Sequence, residues 1–290
     1  PDALATLRSV NPSRTLPASS SRPATAMLLA AGRGERMRPL SDHTPKPMLP
    51  VNGKPLMQWT MEAMQRAGVQ DLVVNTAWLG EQIPKHFGNC FDGAQQVKPS
   101  ENKPMQMHYS QEGEDFGEAL ETAGGIIRAL PKLADVFWVA AGDVWMPDFS
   151  FARKAYESFE SSIQLVHIWL VPNPVHNPRG DFGIAFNALD GASNSDLHSH
   201  VGREGLALNL QSDSTAPRWT FSTVALYKKA FFQATWCDIP AGNPQGVKAP
   251  LAPMLRAAMD NGLVSATLYE QAWSDVGTPE RLAEINNKAI

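Results

Sequence analysis

The chain has 290 residues, 43% of them apolar, with a net charge of −4 and a sequence pI of about 6.0. That length can bury a full core as one large domain or two small ones, and the near-neutral balance gives no general attraction to nucleic acid or a membrane surface. No apolar run is long enough to span a bilayer, and two isolated cysteines, Cys90 and Cys237, support neither a disulfide framework nor a zinc ribbon, so a reducing, cytoplasmic setting is expected.

Residues 1–24 are expected to be a flexible extension, because residues 12–23 are Pro/Ser-rich, aperiodic and lack the apolar core of a signal peptide. Residues 25–290 are then one domain. Residues 26–31 read as a buried strand ending in Gly32-x-Gly34. Leu56, Thr60, Ala63, Met64 and Ala67 recur at helical spacing, and Gly68 follows as a stop. Strands are predicted at 72–75 and 105–110, with a short helix at 80–87 between them and a helix at 121–130 closed by Pro131. Residues 136–141 are almost continuously apolar, as suits the middle of a parallel sheet covered on both faces. This alternation predicts a doubly wound α/β fold whose ligand sits beyond the carboxyl ends of its strands.

The second half is less regular. Strands are expected at 163–171, 182–186, 219–227 and 263–269, and a helix at about 250–259, while 188–218 is polar and carries no assignable pattern. His198 and His200, two apart in that polar stretch, read as a solvated pair rather than a metal site. The last helix begins with Thr278 as N-cap, Pro279 at its first position and Glu280 at the positive end of the dipole.

Positive charge is concentrated just after the first strand. Between Arg33 and Lys54, Arg33, Arg36, Arg38, Lys46 and Lys54 face only Glu35 and Asp42. Glycines that expose backbone N–H groups, with cations at the mouth, suit a polyphosphate. Met37 stands where a dinucleotide fingerprint needs its third glycine, which disfavours a dinucleotide-dependent oxidoreductase. No Lys-Ser/Thr follows, so the loop is not a P-loop either. Two acids stand out further on: Asp143, in Gly142-Asp143 after the apolar strand, and Asp275, in Trp273-Ser274-Asp275-Val276-Gly277-Thr278-Pro279. Taken singly they read as a turn residue and a helix-flanking acid.

As a whole, residues 28–50 resemble the signature of the sugar-1-phosphate nucleotidyltransferases (sugar-nucleotide pyrophosphorylases), and the likeness extends over about residues 25–289. It implies a Rossmann-like, GT-A type fold: a mixed, mostly parallel sheet with helices on both faces and a small antiparallel extension on the sugar side. It also implies roles. Arg36 meets the triphosphate, Lys46 lies between the triphosphate and the incoming sugar phosphate, and Arg33 and Gly34 complete the loop. Asp143 and Asp275 match the two motifs that hold a catalytic Mg²⁺. Backbone at Ala30 and Gly32, with Glu112 of Ser110-Gln111-Glu112, is expected at the base edge. Thr122 and Gly124 are expected beside the nucleoside, although Glu121 stands where the family's Leu-Gly-Thr-Ala-Gly-Gly motif has its first glycine. The string His176-Asn177-Pro178-Arg179-Gly180-Asp181-Phe182-Gly183 resembles a loop of the N-acetylmuramate-1-phosphate uridylyltransferases of bacterial cell-wall (peptidoglycan) recycling. Residues 77–83 resemble that subfamily too. Asp181 is therefore expected to bind sugar hydroxyls, with Ser222 on the facing strand.

The chemistry asks for these residue types independently. A sugar 1-phosphate attacking the α-phosphorus of a nucleoside triphosphate brings two anions together, and cations must screen them before they align. The attacking oxygen is already ionised, so no general base is required. The expected reaction is Mg²⁺-dependent transfer from UTP to N-acetylmuramic acid 1-phosphate, by a monomer or weak homodimer. Mannose-1-phosphate guanylyl transfer and glucose-1-phosphate uridylyl transfer are the alternatives within the class. A non-catalytic nucleotide-binding regulator on the same fold is the alternative outside it.

Overall fold

The computed structural model describes residues 24–93, 103–187 and 203–287; residues 1–23, most of the expected extension, and the His198/His200 pair lie outside them. The first half runs β1 (Ala24–Leu29), the hairpin β2 (Pro50–Val51) and β3 (Lys54–Pro55), α1 (Leu56–Arg66), β4 (Val69–Thr76), α2 (Gln82–Phe87), β5 (Cys90–Phe91), β6 (Met105–Gln111), α3 (Glu112–Phe116) and α4 (Glu121–Ala129). It continues through β7 (Val136–Ala141), β8 (Val144–Trp145), α5 (Arg153–Ser161) and β9 (Val166–Val171). Then come β10 (Gly183–Phe186), β11 (Glu204–Leu208), β12 (Thr220–Lys228), α6 (Leu251–Asp260), β13 (Val264–Leu268), β14 (Ser274–Asp275) and α7 (Pro279–Asn287). Among the described residues, no helix is long and apolar enough to cross a membrane.

Ten strands form one sheet in the order β10-β11-β13-β9-β12-β7-β1-β4-β6-β5. Strands β7, β1, β4 and β6 are parallel neighbours, whereas β12, β11 and β5 run against the rest. The expected antiparallel extension takes the form of β11 and β10, which continue the same sheet beyond β13. All six residues of β7 and of β9 are buried, so both strands are covered on both faces.

The period of two along each central strand sorts the core. Met27, Val73, Phe137 and Val139 join Ile126 and Ile127 of α4 and Leu255 of α6 on one face. Ala26, Leu28, Leu72, Val74 and Trp138 join Met57, Met61 and Met64 of α1 and Phe159 of α5 on the other. A third cluster, Met37, Leu49, Val51, Leu56, Val276, Leu282 and Ile285, ties the segment after the glycine loop to the C-terminal helix. That tie brings the two ends of the described chain to one site.

Candidate active site

Strand β1 delivers the glycine loop to the carboxyl edge of the sheet. Gly34 has φ +65°, the left-handed region that favours glycine, and its carbonyl receives the Met37 N–H at 2.9 Å and the Ser41 hydroxyl at 2.7 Å. A Cβ there would also lie 3.0 Å from the Cβ of Lys46. Gly34 therefore both makes the turn and admits the lysine stem. Lys46 is buried in a short 3₁₀ turn flanked by Pro45 and Pro47, and its Nζ reaches the Asp143 Oδ2 at 2.5 Å.

Asp143 follows β7 directly. The next residues form β8, which pairs with β14 so that Val144 stands opposite Asp275, and the Val276 N–H donates to the Asp143 carbonyl at 3.0 Å. The two aspartates, 132 positions apart in sequence, are thus one register step apart. The Asp275 carboxylate meets the Arg281 Nη1 at 2.5 Å and the His176 Nε2 at 2.9 Å. Arg36 lies nearby, since a Cβ on Gly277 would be 3.4 Å from its Nη2.

A cavity of about 760 Å³ opens at this edge. Of the residues singled out in the sequence, Ala30, Gly32, Gly34, Arg36, Lys46, Glu112, Thr122, Asp143 and Asp181 line it, and Asp275 does not. Only two of the five clustered cations are among its lining residues. Arg33 instead stacks over the Trp78 ring at 3.6 Å, Arg38 pairs with Asp42 at 3.2 Å, and Lys54 pairs with Glu62 at 2.5 Å while stacking on Trp59. The sequence overcounts the cradle because charge density along a chain says nothing about side-chain direction.

Other expected contacts are redirected. The Ala30 N–H is taken by the Asn75 Oδ1 at 2.8 Å, and the Asn75 amide donates to the Glu112 Oε1 at 2.7 Å. Glu112 is fully buried, and its second oxygen receives the Leu120 N–H at 2.8 Å. Burial pushes its carboxyl pKa up, opposed by those two hydrogen bonds. Glu112 therefore braces the loop through Asn75, and it lines the cavity together with Ala30 and Asn75. Gly124 is buried against residues 247–249: a Cβ there would lie 2.6 Å from the Val247 carbonyl, and its N–H donates to the Ala249 carbonyl at 3.1 Å. Ser222 is buried in an irregular step of β12 and donates to the Trp169 carbonyl at 2.7 Å. Its neighbour Thr223, at φ +67°, lines the cavity in its place. A β-branched residue in that region is strained, and such strain gathers at functional sites.

Two measurements check these reassignments. A Cβ on Gly125 would lie 2.6 Å from the Glu112 Oε1 and 2.9 Å from the Asn75 Nδ2, so Gly125→Ala is expected to cost about 1–3 kcal/mol in urea unfolding. Ser222→Ala leaves the Trp169 carbonyl and the Val224 N–H without their partner. It is expected to cost about 1–3 kcal/mol of stability with little change in the KM for a sugar phosphate. A KM that rises sharply in a fully stable variant would return Ser222 to the sugar site.

Asp181 lines the cavity and is tied on both oxygens, receiving the Phe221 N–H at 2.8 Å and the Asn177 amide at 3.2 Å. Glu121, in the place of a motif glycine, has φ +59° and lines the cavity, so the backbone keeps the glycine-like conformation. Sequence reasoning missed Asn75, Arg256 and Arg281. Each sits in an ordinary strand or helix pattern, and only its neighbours in space distinguish it.

Residues 25–191 match the family described as nucleotidyl transferase. The chain is 40% identical over 262 residues to the N-acetylmuramate alpha-1-phosphate uridylyltransferase of Neisseria meningitidis serogroup B, covering 89% of this chain and 95% of that protein. It is 33% identical over 129 residues to the protein of the same name from Caulobacter vibrioides, covering 44% of this chain and 49% of that one. Among solved structures, a UDP-glucose pyrophosphorylase complexed with UDP-glucose superposes with a TM-score of 0.65 at 16% identity, covering 92% of this chain and 98% of that one. That likeness shows the fold.

Proposed function

We propose that this chain, which belongs to the nucleotidyl transferase family and is a sugar-1-phosphate nucleotidyltransferase, takes UTP as donor and N-acetylmuramic acid 1-phosphate as acceptor. The observation that carries this reading is the β8–β14 ladder: it joins the Asp275 segment to the Asp143 segment, while Asp143 holds Lys46 in the wall of the cavity. The choice of UTP and of an acidic amino sugar is supported by the Neisseria relative, whose likeness runs the length of both chains.

The residues act by electrostatics and position. The loop through Gly32 and Gly34 turns backbone toward the triphosphate, and Arg36 supplies a planar fork for phosphate oxygens. Lys46 is a mobile point charge between the two anions, parked on Asp143 when they are absent. Thr122 stands on the nucleoside side and Asp181 on the sugar side. The attacking phosphate oxygen is an anion, so none of these groups needs to remove a proton.

The donor set fits a divalent cation. Asp143 and Asp275 offer hard carboxylate oxygens on two segments that the β8–β14 ladder joins, and Mg²⁺ characteristically takes few carboxylates together with phosphate oxygens and water. When bound, Mg²⁺ supplies neutralisation of the triphosphate charge.

A pyrophosphate-release screen of four nucleoside triphosphates against a panel of sugar 1-phosphates tests the proposal. UTP with N-acetylmuramic acid 1-phosphate is expected to turn over fastest. A preference for GTP with mannose 1-phosphate would move the donor and acceptor assignment. No release from any pair would make the chain a nucleotide-binding regulator.

A further inference from the structure

The cavity carries a cation that the phosphates do not explain. Helix α6 buries Leu251 and Leu255 in the core, and the next residue, Arg256, is half-buried and lines the cavity. Its guanidinium lies 5.0 Å over the Phe182 ring. Phe182 touches Phe221, with ring centroids 6.5 Å apart, and the Phe221 N–H is bound by Asp181. Arg256 therefore belongs to the wall that carries Asp181, on the sugar side, away from the glycine loop with Arg36 and Lys46.

Its immediate surroundings orient it without neutralising it. The Nη1 donates to the Asn209 Oδ1 at 2.8 Å. Asn209 in turn gives its amide N–H groups to both oxygens of Asp260, at 3.0 and 3.1 Å, which turns its carbonyl oxygen toward Arg256. Among the described residues, no carboxylate lies within ion-pair distance of Arg256. A neutral brace and an aromatic face leave the rest of the guanidinium fork for a planar anion. A neutral sugar would leave that partly desolvated charge unmatched.

We propose that Arg256 is a specificity-determining residue that selects sugar 1-phosphates bearing a carboxylate on the sugar itself. This rests on the acceptor assigned above, since the lactyl carboxylate is what N-acetylmuramic acid has and N-acetylglucosamine lacks. The site rewards the acid and penalises its neutral counterpart, because a group placed to bind a charge is left unpaired by an analogue without it.

Pyrophosphate release is measured at saturating UTP with N-acetylmuramic acid 1-phosphate, its lactyl methyl ester and N-acetylglucosamine 1-phosphate. The wild-type enzyme and the Arg256→Gln and Arg256→Lys variants are compared. The wild type is expected to favour the acid over the ester by about 10- to 100-fold in kcat/KM, mostly through KM, the range of one charge-assisted hydrogen-bonding partner. Arg256→Gln is expected to collapse that acid-to-ester ratio toward one, and Arg256→Lys to keep part of it. A ratio unchanged in the glutamine variant, or an equal loss on all three sugars, overturns the inference and leaves the acceptor assignment standing. A wild-type enzyme that prefers N-acetylglucosamine 1-phosphate overturns the acceptor assignment and the inference with it. Should the glutamine variant fail to fold, the lysine variant and the wild-type acid-to-ester ratio decide the matter.

Discussion

Lys46→Ala is expected to lower kcat by at least about 10²-fold, the scale of losing one preorganised donor to developing charge. The expectation follows from how the side chain is held. Its stem lies against Gly34, the residue itself stands between Pro45 and Pro47, and its ammonium rests on Asp143 at 2.5 Å, so little reorganisation separates the resting position from one between two phosphates. A group that acts mainly in the transition state lowers kcat and kcat/KM together, whereas one that only attracts substrate raises KM. Lys46→Arg is not expected to restore the rate, because a planar guanidinium fork does not replace a compact ammonium between two phosphates. Folding should persist, since the Asp143 side chain is 36% exposed and can be hydrated once its partner is gone. Steady-state pyrophosphate release with a parallel thermal melt makes the measurement. Near-wild-type turnover in a folded Lys46→Ala protein would remove Lys46 from the reaction.

Asp143→Asn is expected to reduce Mg²⁺-dependent turnover by about 10³-fold, with the fold intact. Several kcal/mol of charge stabilisation is the usual contribution of a catalytic cation, and each 1.36 kcal/mol is about tenfold in rate. The substitution isolates the carboxylate. Asparagine keeps the shape, and the β8–β14 ladder uses the Asp143 backbone carbonyl rather than its side chain. The competing account makes Asp143 only a counter-ion that holds Lys46. On that account the asparagine variant frees the lysine, and its rate should hold or rise with an unaltered Mg²⁺ dependence. A Mg²⁺ titration of both proteins separates the two, and a retained rate at unchanged Mg²⁺ demand would defeat the metal assignment.

Much of the architecture was readable from local pattern. The runs at 26–31, 72–75 and 136–141 became β1, β4 and β7, because strands buried on both faces must be apolar throughout, and few other segments of the chain are. Helix α1 ended where Gly68 predicted a stop. Helix α5 escaped notice, since Phe159 is its only buried residue, and β11 is a short strand in polar sequence with two buried positions. Ser222 was misassigned because β12 breaks register between Phe221 and Ala225, which passes the cavity-facing place to Thr223. Alternation cannot be read through a bulge.

By itself the sequence determined the chemistry on offer: a glycine loop at a strand end, cations beside it, two acids in separated motifs, and strands apolar enough to stack a parallel sheet. Those are local properties, set by side-chain type and by periods of two and 3.6 residues. Which cations face the cavity, that the Asp275 segment pairs with the Asp143 segment, that Glu112 braces Asn75, and that Arg256 faces the cavity beside Phe182 were decided by tertiary structure alone. Each depends on which face of the sheet a helix covers and on a two-residue ladder joining distant segments, and no short-range pattern encodes either.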